Sequence, residues 1–198
     1  MRSTDLVHRV KLAKINGLLL AGIVLVNLYI IILPFFPGIM FYVQQQRGAA
    51  KELQQTLVMP GTTQEKITGD RLIIPAMLLN TPINEGSQSS ALNKGLWHIP
   101  NSSTPDSGGN TVIIGHRFTY TNPEGVFYNL NRVQIGDEVG IFWQGKRYLY
   151  TVSKTEIVPP SDTSIQAPTT NAELTLYTCT PLWIPKNRLV VIAEEVTS

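Results

Sequence analysis

Residues 15–33 set the first limit on what this chain can become. The run is apolar apart from Asn16, Asn27, Tyr29 and its glycines, and it carries no charge. About 20 residues at 1.5 Å each cross the hydrocarbon core of a bilayer. There a segment must satisfy its own backbone, which a helix does. The run therefore predicts one membrane-spanning helix. Arg2, Arg9, Lys11 and Lys14 precede it against a single acid, Asp5. The rest of the chain holds twelve basic and thirteen acidic residues, so the net charge of +2 comes from this flank. That pattern argues against a nucleic-acid-binding surface. It also makes residues 1–14 a cytoplasmic tail, with everything after residue 33 outside the cell membrane. A cleaved signal peptide is the competing reading. The sequence that follows, Pro34-Phe35-Phe36-Pro37-Gly38-Ile39-Met40, offers no small-x-small cleavage site.

Residues 34–68 read as a juxtamembrane stem. Tyr42 to Leu57 is built from good helix formers in a polar setting, including Gln44-Gln45-Gln46 and Lys51-Glu52-Leu53. A helical stem fits, with a plain spacer as the simpler alternative, and Met59-Pro60-Gly61 should end it. A globular domain over residues 69–198 follows.

Within that domain short apolar runs alternate with turn signals. Arg71 to Ile74 and Ala76 to Leu79 read as strands separated at Pro75, where proline implies an edge or a bulge. Ser89 to Lys94 reads as a short helix ended by Gly95. Thr111 to Ile114 is a buried strand ending at Gly115-His116. Asp137 to Trp143 and Lys146 to Val158 flank Gln144-Gly145, a two-residue hairpin turn. Residues 159–171 form a polar connection long enough to have a function of its own. Two final strands close the chain. Seven or eight short strands and little helix in about 130 residues suggest a mainly β domain, a closed antiparallel barrel or a sandwich.

The last two strands carry the chemistry. Leu174-Thr175-Leu176-Tyr177-Thr178-Cys179 delivers the chain's one cysteine to a strand end. Arg188 opens the next apolar run nine residues later. A single cysteine outside the cell cannot form an internal disulfide, so it is paired with a partner chain, reactive, or a buried inert thiol. An unperturbed thiol, with pKa about 8.5, is only a few per cent thiolate at pH 7. A neighbouring cation favours the thiolate. His116, at the end of its own strand, can serve as acid and base. Arg188 cannot act as a base, but its fork of donors suits an oxyanion or a peptide carbonyl. His8 lies in the tail, and His98 lies in the less regular Gly95-Leu96-Trp97-His98-Ile99-Pro100. No residue pattern calls for a metal or another cofactor. There is no Cys-x-x-Cys, and acids such as Glu124 and Glu173 form no calcium loop.

Thr175-Leu176-Tyr177-Thr178-Cys179, the following Arg188 and Asn110-Thr111-Val112-Ile113-Ile114-Gly115-His116-Arg117 together resemble the sortases. These are membrane-anchored cysteine transpeptidases of mainly Gram-positive bacteria. The resemblance implies an eight-stranded sortase-type β-barrel over residues 69–198. It implies Cys179 as nucleophile, His116 as acid and base, and Arg188 as a stabiliser of substrate or oxyanion. Thr178 would line the substrate groove, and His98 would be a supporting residue beside it. The reaction implied is cleavage of a Leu-Pro-x-Thr-Gly-like sorting signal after threonine, through a thioacyl-enzyme. The partners implied are surface proteins bearing that signal, and an amine on a peptidoglycan precursor or a pilin. Residues 34–69 lack the Asp-Pro-aromatic plug of the lidded pilin-polymerising group. The reading from another class is a non-catalytic extracytoplasmic barrel serving as an adhesin or scaffold. A third is a cysteine peptidase that hydrolyses its substrate.

Overall fold

The computed structural model of the chain describes residues 3–58, 69–118, 125–182 and 184–196. It divides into two compact units, residues 1–36 and 37–198. The first is dominated by α1 (Ser3–Ile32). From Lys11 to Ile32 this helix is long and apolar enough to cross a membrane, and its side chains lie exposed.

The second unit begins with two helices, α2 (Phe36–Gln46) and α3 (Ala49–Val58). Leu53 and Leu57 lie four residues apart on α3, hence on one face. Leu57 is fully buried against Ile73 and Phe142, with Leu53 packed alongside. The Arg147 guanidinium donates to the Leu57 carbonyl, and the Gln54 amide donates to the Glu138 carboxylate. Gly140 makes room for this contact, because a Cβ there would overlap the Leu57 side chain. The described part of the stem is therefore helical, and its second helix packs on the barrel as part of the globular unit. The predicted break at Met59-Pro60-Gly61 lies outside the described residues.

Eight strands close into a barrel: β1 (Arg71–Ile74), β2 (Leu79–Asn84), β3 (Leu96–His98), β4 (Asn110–Ile114), β5 (Glu138–Trp143), β6 (Lys146–Val158), β7 (Glu173–Thr180) and β8 (Asn187–Glu195). Their order is β1-β2-β3-β4-β7-β8-β6-β5, with β5 returning to β1. Most pairs are antiparallel, as expected. The pairs β2–β3 and β4–β7 are parallel, because each is joined by a long connection and not by a hairpin. Ala76 to Leu79 is not one strand. Pro75–Met77 forms a 3-10 turn, where proline's fixed φ and missing N–H are tolerated, and β2 starts only at Leu79. His98 ends a strand and does not lie in irregular chain. The Gln144-Gly145 hairpin is present, both residues having positive φ.

Side chains pack on both faces of β4, β7 and β8. Ile113, Leu174, Leu176, Val191 and Ala193 point into the barrel core. Val112, Ile114, Tyr177 and Val190 form a second core outside it. Two 3-10 turns roof that outer core, Ser89–Lys94 through Ala91 and Ser164–Gln166 through Ile165. Burial on both faces explains why these strands read as nearly unbroken apolar runs.

Candidate active site

The parallel pairing of β4 with β7 sets Ile114 opposite Tyr177. Two residues further on, His116 comes level with Cys179 at the same end of the barrel. Paired strands lie about 4.8 Å apart. On the other side of β7, Cys179 is the direct antiparallel partner of Arg188. The structure thus brings sulfur, imidazole and guanidinium to three adjacent strand ends. The thiol is free and exposed, whereas its neighbours Thr178 and Thr180 are buried.

Hydrogen bonds bracket the His116–Cys179 level on both sides. One residue before it, the Thr178 hydroxyl donates to the Gly115 carbonyl at 2.8 Å. One residue after it, Arg117 Nη1 donates to the Thr180 hydroxyl at 2.8 Å, while Nη2 reaches Asn131 Oδ1 at 3.0 Å. Burial pulls the Arg117 pKa down, opposed by the nearby Tyr128 phenol. The chain after His116 is held closely too. Phe127 N–H donates to the His116 carbonyl at 3.0 Å. Gly125 lies so near that a Cβ there would sit 2.6 Å from that carbonyl oxygen, so no larger residue fits without moving it.

The Arg188 guanidinium lies over the Tyr177 ring, 5.2 Å from its centroid. Its Nη1 is buried without a hydrogen-bond partner among the described residues. A buried, unpaired cationic donor costs free energy unless a ligand supplies the acceptor. Opposite an exposed cysteine, a guanidinium suits a carbonyl oxygen gaining negative charge.

Thr178 is 2% exposed, and its hydroxyl is engaged with Gly115. In this structure it supports the strand end that carries His116. His98 is not brought to this end. It pairs with Ile113, back along β4, and is 5% exposed. Its Nδ1 lies 2.9 Å from the Glu85 carboxylate and its Nε2 lies 2.8 Å from the Ser103 carbonyl. The ring meets Trp143 edge-on at 5.5 Å. Among the described residues no group of three or more His, Cys, Asp and Glu could hold a metal ion.

Residues 72–196, well over half of the chain, match the sortase domain family. The chain belongs to the sortase family. It is 33% identical to Sortase D of Bacillus subtilis over 130 residues, 64% of this chain and 63% of that protein. The sortase match thus spans less than two thirds of that relative's length. Among solved structures, the Clostridium perfringens Sortase D5 transpeptidase matches with a TM-score of 0.58 at 28% identity, over 76% of this chain and 98% of that one. A lid mutant of Sortase A from Corynebacterium diphtheriae matches with a TM-score of 0.60 at 28% identity, over 76% and 91%. The eight-stranded closed barrel is the sortase fold.

Sequence reading did not single out Arg117, Thr180 or Gly125. Adjacency was the available signal for the first two, since each follows a candidate catalytic residue. Gln166, whose amide donates to the Tyr177 hydroxyl at 2.7 Å, has no signal in its polar surroundings.

Proposed function

We propose that this sortase is a cysteine transpeptidase acting on a Leu-Pro-x-Thr-Gly-like signal, with Cys179, His116 and Arg188 as its catalytic residues. The reading rests on one observation: the exposed thiol lies directly opposite Arg188 and level with His116. Cys179 gives its proton to His116, and the resulting thiolate attacks the threonyl carbonyl. Arg188, the cross-strand partner of Cys179, donates to the carbonyl oxygen as it becomes an oxyanion. Collapse breaks the threonyl–glycine C–N bond, and His116 gives a proton to the departing amine. The product is a thioester between Cys179 and the surface protein. An incoming amine on a peptidoglycan precursor or a pilin loses its proton to His116 and attacks the thioester. The C–S bond breaks, a new amide forms, and the departing sulfur takes back the proton held by His116. No cofactor enters these steps.

In this reading α1 is a single-pass anchor. Its basic flank keeps residues 1–14 in the cytoplasm and the barrel outside. Thr178 supports the site through its bond to the Gly115 carbonyl without contacting the reacting atoms, whereas His98 lies apart from it. An adhesin or scaffold would have no use for an exposed thiol opposite an arginine whose donor is unpaired.

Incubating the full chain with a Leu-Pro-x-Thr-Gly peptide and an amine tests the proposal. Cys179→Ala is expected to abolish both the transferred product and the thioacyl adduct seen by mass spectrometry. Turnover persisting in that variant would refute the nucleophile assignment. Product that is wholly hydrolysed despite excess amine would favour a peptidase.

A further inference from the structure

We propose that Tyr177 is a positioning residue for Arg188, and that Gln166 ties it to the connection between β6 and β7. The inference rests on the transpeptidase reading for its consequence, but not for its geometry. Tyr177 and Cys179 alternate onto the same outer face of β7, and Arg188 is the direct cross-strand partner of Cys179. The guanidinium is therefore diagonal to Tyr177, within reach of an aromatic side chain. It lies over the ring face, where the quadrupole attracts a cation. The ring itself is held in place. It is 7% exposed within the outer core, beside Ile165, Val112 and Val190. The Gln166 amide donates to its hydroxyl. The Asp162 carboxylate fixes the turn bearing Gln166 by accepting from the Ser164 N–H at 3.0 Å and its hydroxyl at 2.6 Å.

The consequence concerns the unpaired donor. Arg188 has a long, flexible side chain and, among the described residues, no acceptor on Nη1. Stacking restrains the guanidinium plane without occupying any N–H. Tyr177 can thus hold Arg188 beside Cys179 without consuming its N–H donors. An acidic partner would hold the arginine equally well, but it would consume the donors that the reaction needs.

Two readouts on the full chain in detergent test this. The first needs no peptide: the rate of Cys179 alkylation by anionic iodoacetate divided by the rate with neutral iodoacetamide. A cation held beside the thiol raises the ratio by roughly two- to fivefold, the range of an exposed charge pair. Arg188→Ala is expected to remove that advantage, and Tyr177→Leu to remove most of it. The second is peptide transfer. Tyr177→Leu is expected to lower kcat about tenfold, within the range of a partly desolvated cation–ring contact, at little change in KM. In an Arg188→Ala background the same substitution should cost nothing further. Tyr177→Phe, which keeps the ring, should lose less than about threefold, and adding Gln166→Ala to it should change nothing.

An alkylation ratio unchanged in Tyr177→Leu overturns the proposal, as does an equal kcat loss in both Arg188 backgrounds. If Tyr177→Leu does not fold, Gln166→Ala replaces it. The ratio must then move part of the way towards that of Arg188→Ala, and an unmoved ratio overturns the proposal. A wild-type chain that transfers no peptide, yet whose ratio falls in Tyr177→Leu, supports the positioning role while refuting the transpeptidase reading.

Discussion

The two ends of the β4–β7 pair are built from one ladder and treated in opposite ways. At the end where both strands begin, Asn110 pairs with Glu173. The Asn110 side-chain amide donates to the Ile165 and Ala167 carbonyls at 3.2 and 3.0 Å, and the Asn110 backbone carbonyl accepts from Ser103 N–H. His98, near this end, is buried with acceptors facing both ring nitrogens. At the other end two hydrogen bonds bracket the level of His116 and Cys179, leaving Cys179 exposed and His116 half-buried between them. Among the described residues the His116 ring makes no hydrogen bond or ion pair. The comparison teaches that a histidine's role follows from what its surroundings leave unsatisfied. The closed end uses polar groups to tie loops down, and the open end uses them to hold backbone while the reactive atoms stay free.

The two histidines give the widest contrast. His116→Ala is expected to lower peptide transfer about 10²- to 10⁴-fold, the usual span for a lost general acid–base group, with little change in melting temperature. His98→Ala should do the reverse. It leaves the Glu85 and Ser103 acceptors without their partner and should lower the melting temperature, with less than a tenfold effect on kcat. Equal kinetic losses, with equal stability, would erase the distinction between the ends.

The bracket comes next in size. Arg117→Lys cannot reach both Thr180 and Asn131 with one planar fork, so the strand ends should loosen. An expected fall in kcat of about tenfold follows, since small misplacements of reacting groups are costly. Thr180→Val should reproduce most of it, and the double variant should lose little more. Simple additivity would mean that Arg117 and Thr180 do not act through one bond.

Much of this contrast was legible in the residues. Cys179, His116 and Arg188 sit at the ends of period-two apolar runs, and a strand end is where a side chain escapes burial. The Gln144-Gly145 turn was equally plain, because positive φ at two successive positions narrows the choice of residues. What escaped reading is tertiary. Arg117 and Thr180 are far apart in sequence, and only the parallel pairing of β4 with β7 makes them neighbours. That pairing was itself hidden, because a run buried on both faces looks the same whichever way its partner runs. The docking of α3 left a fainter mark. Leu53 and Leu57 are spaced for one helical face, but two leucines in a polar helix do not say what they meet. His98 was misleading for a related reason, since a three-residue strand is too short to show a period.

At the closed end, effects should fall on stability. Asn110→Ala removes two donors from the Ile165 and Ala167 carbonyls and should cost about 1–3 kcal/mol. At roughly 2–4 °C per kcal/mol for a chain of this size, the melting temperature should fall by about 5 °C. Peptide transfer below that temperature should change less than a few fold. A large kinetic loss without a stability change would mean that the closed end takes part in catalysis.

The smallest expected effect lies at the same end and depends on pH. Glu173 stands directly across from Glu194 on β8. Burial, reinforced by that second carboxylate, raises the Glu173 pKa above its ordinary value. A carboxyl whose pKa is higher folded than unfolded favours the folded state only while protonated. Its ionisation therefore penalises folding as pH rises through the interval between the unfolded and folded values, and the penalty is complete above both. Glu173→Gln should remove it. The variant should melt about 1 °C above wild type at pH 7, a like-charged cross-strand pair being worth only a few tenths of a kcal/mol. Below pH 4, where both states of the wild-type residue bind the proton, the two proteins should melt together. A gain of the same size at both pH values would trace the effect to side-chain packing, and would leave the closed end without an electrostatic cost.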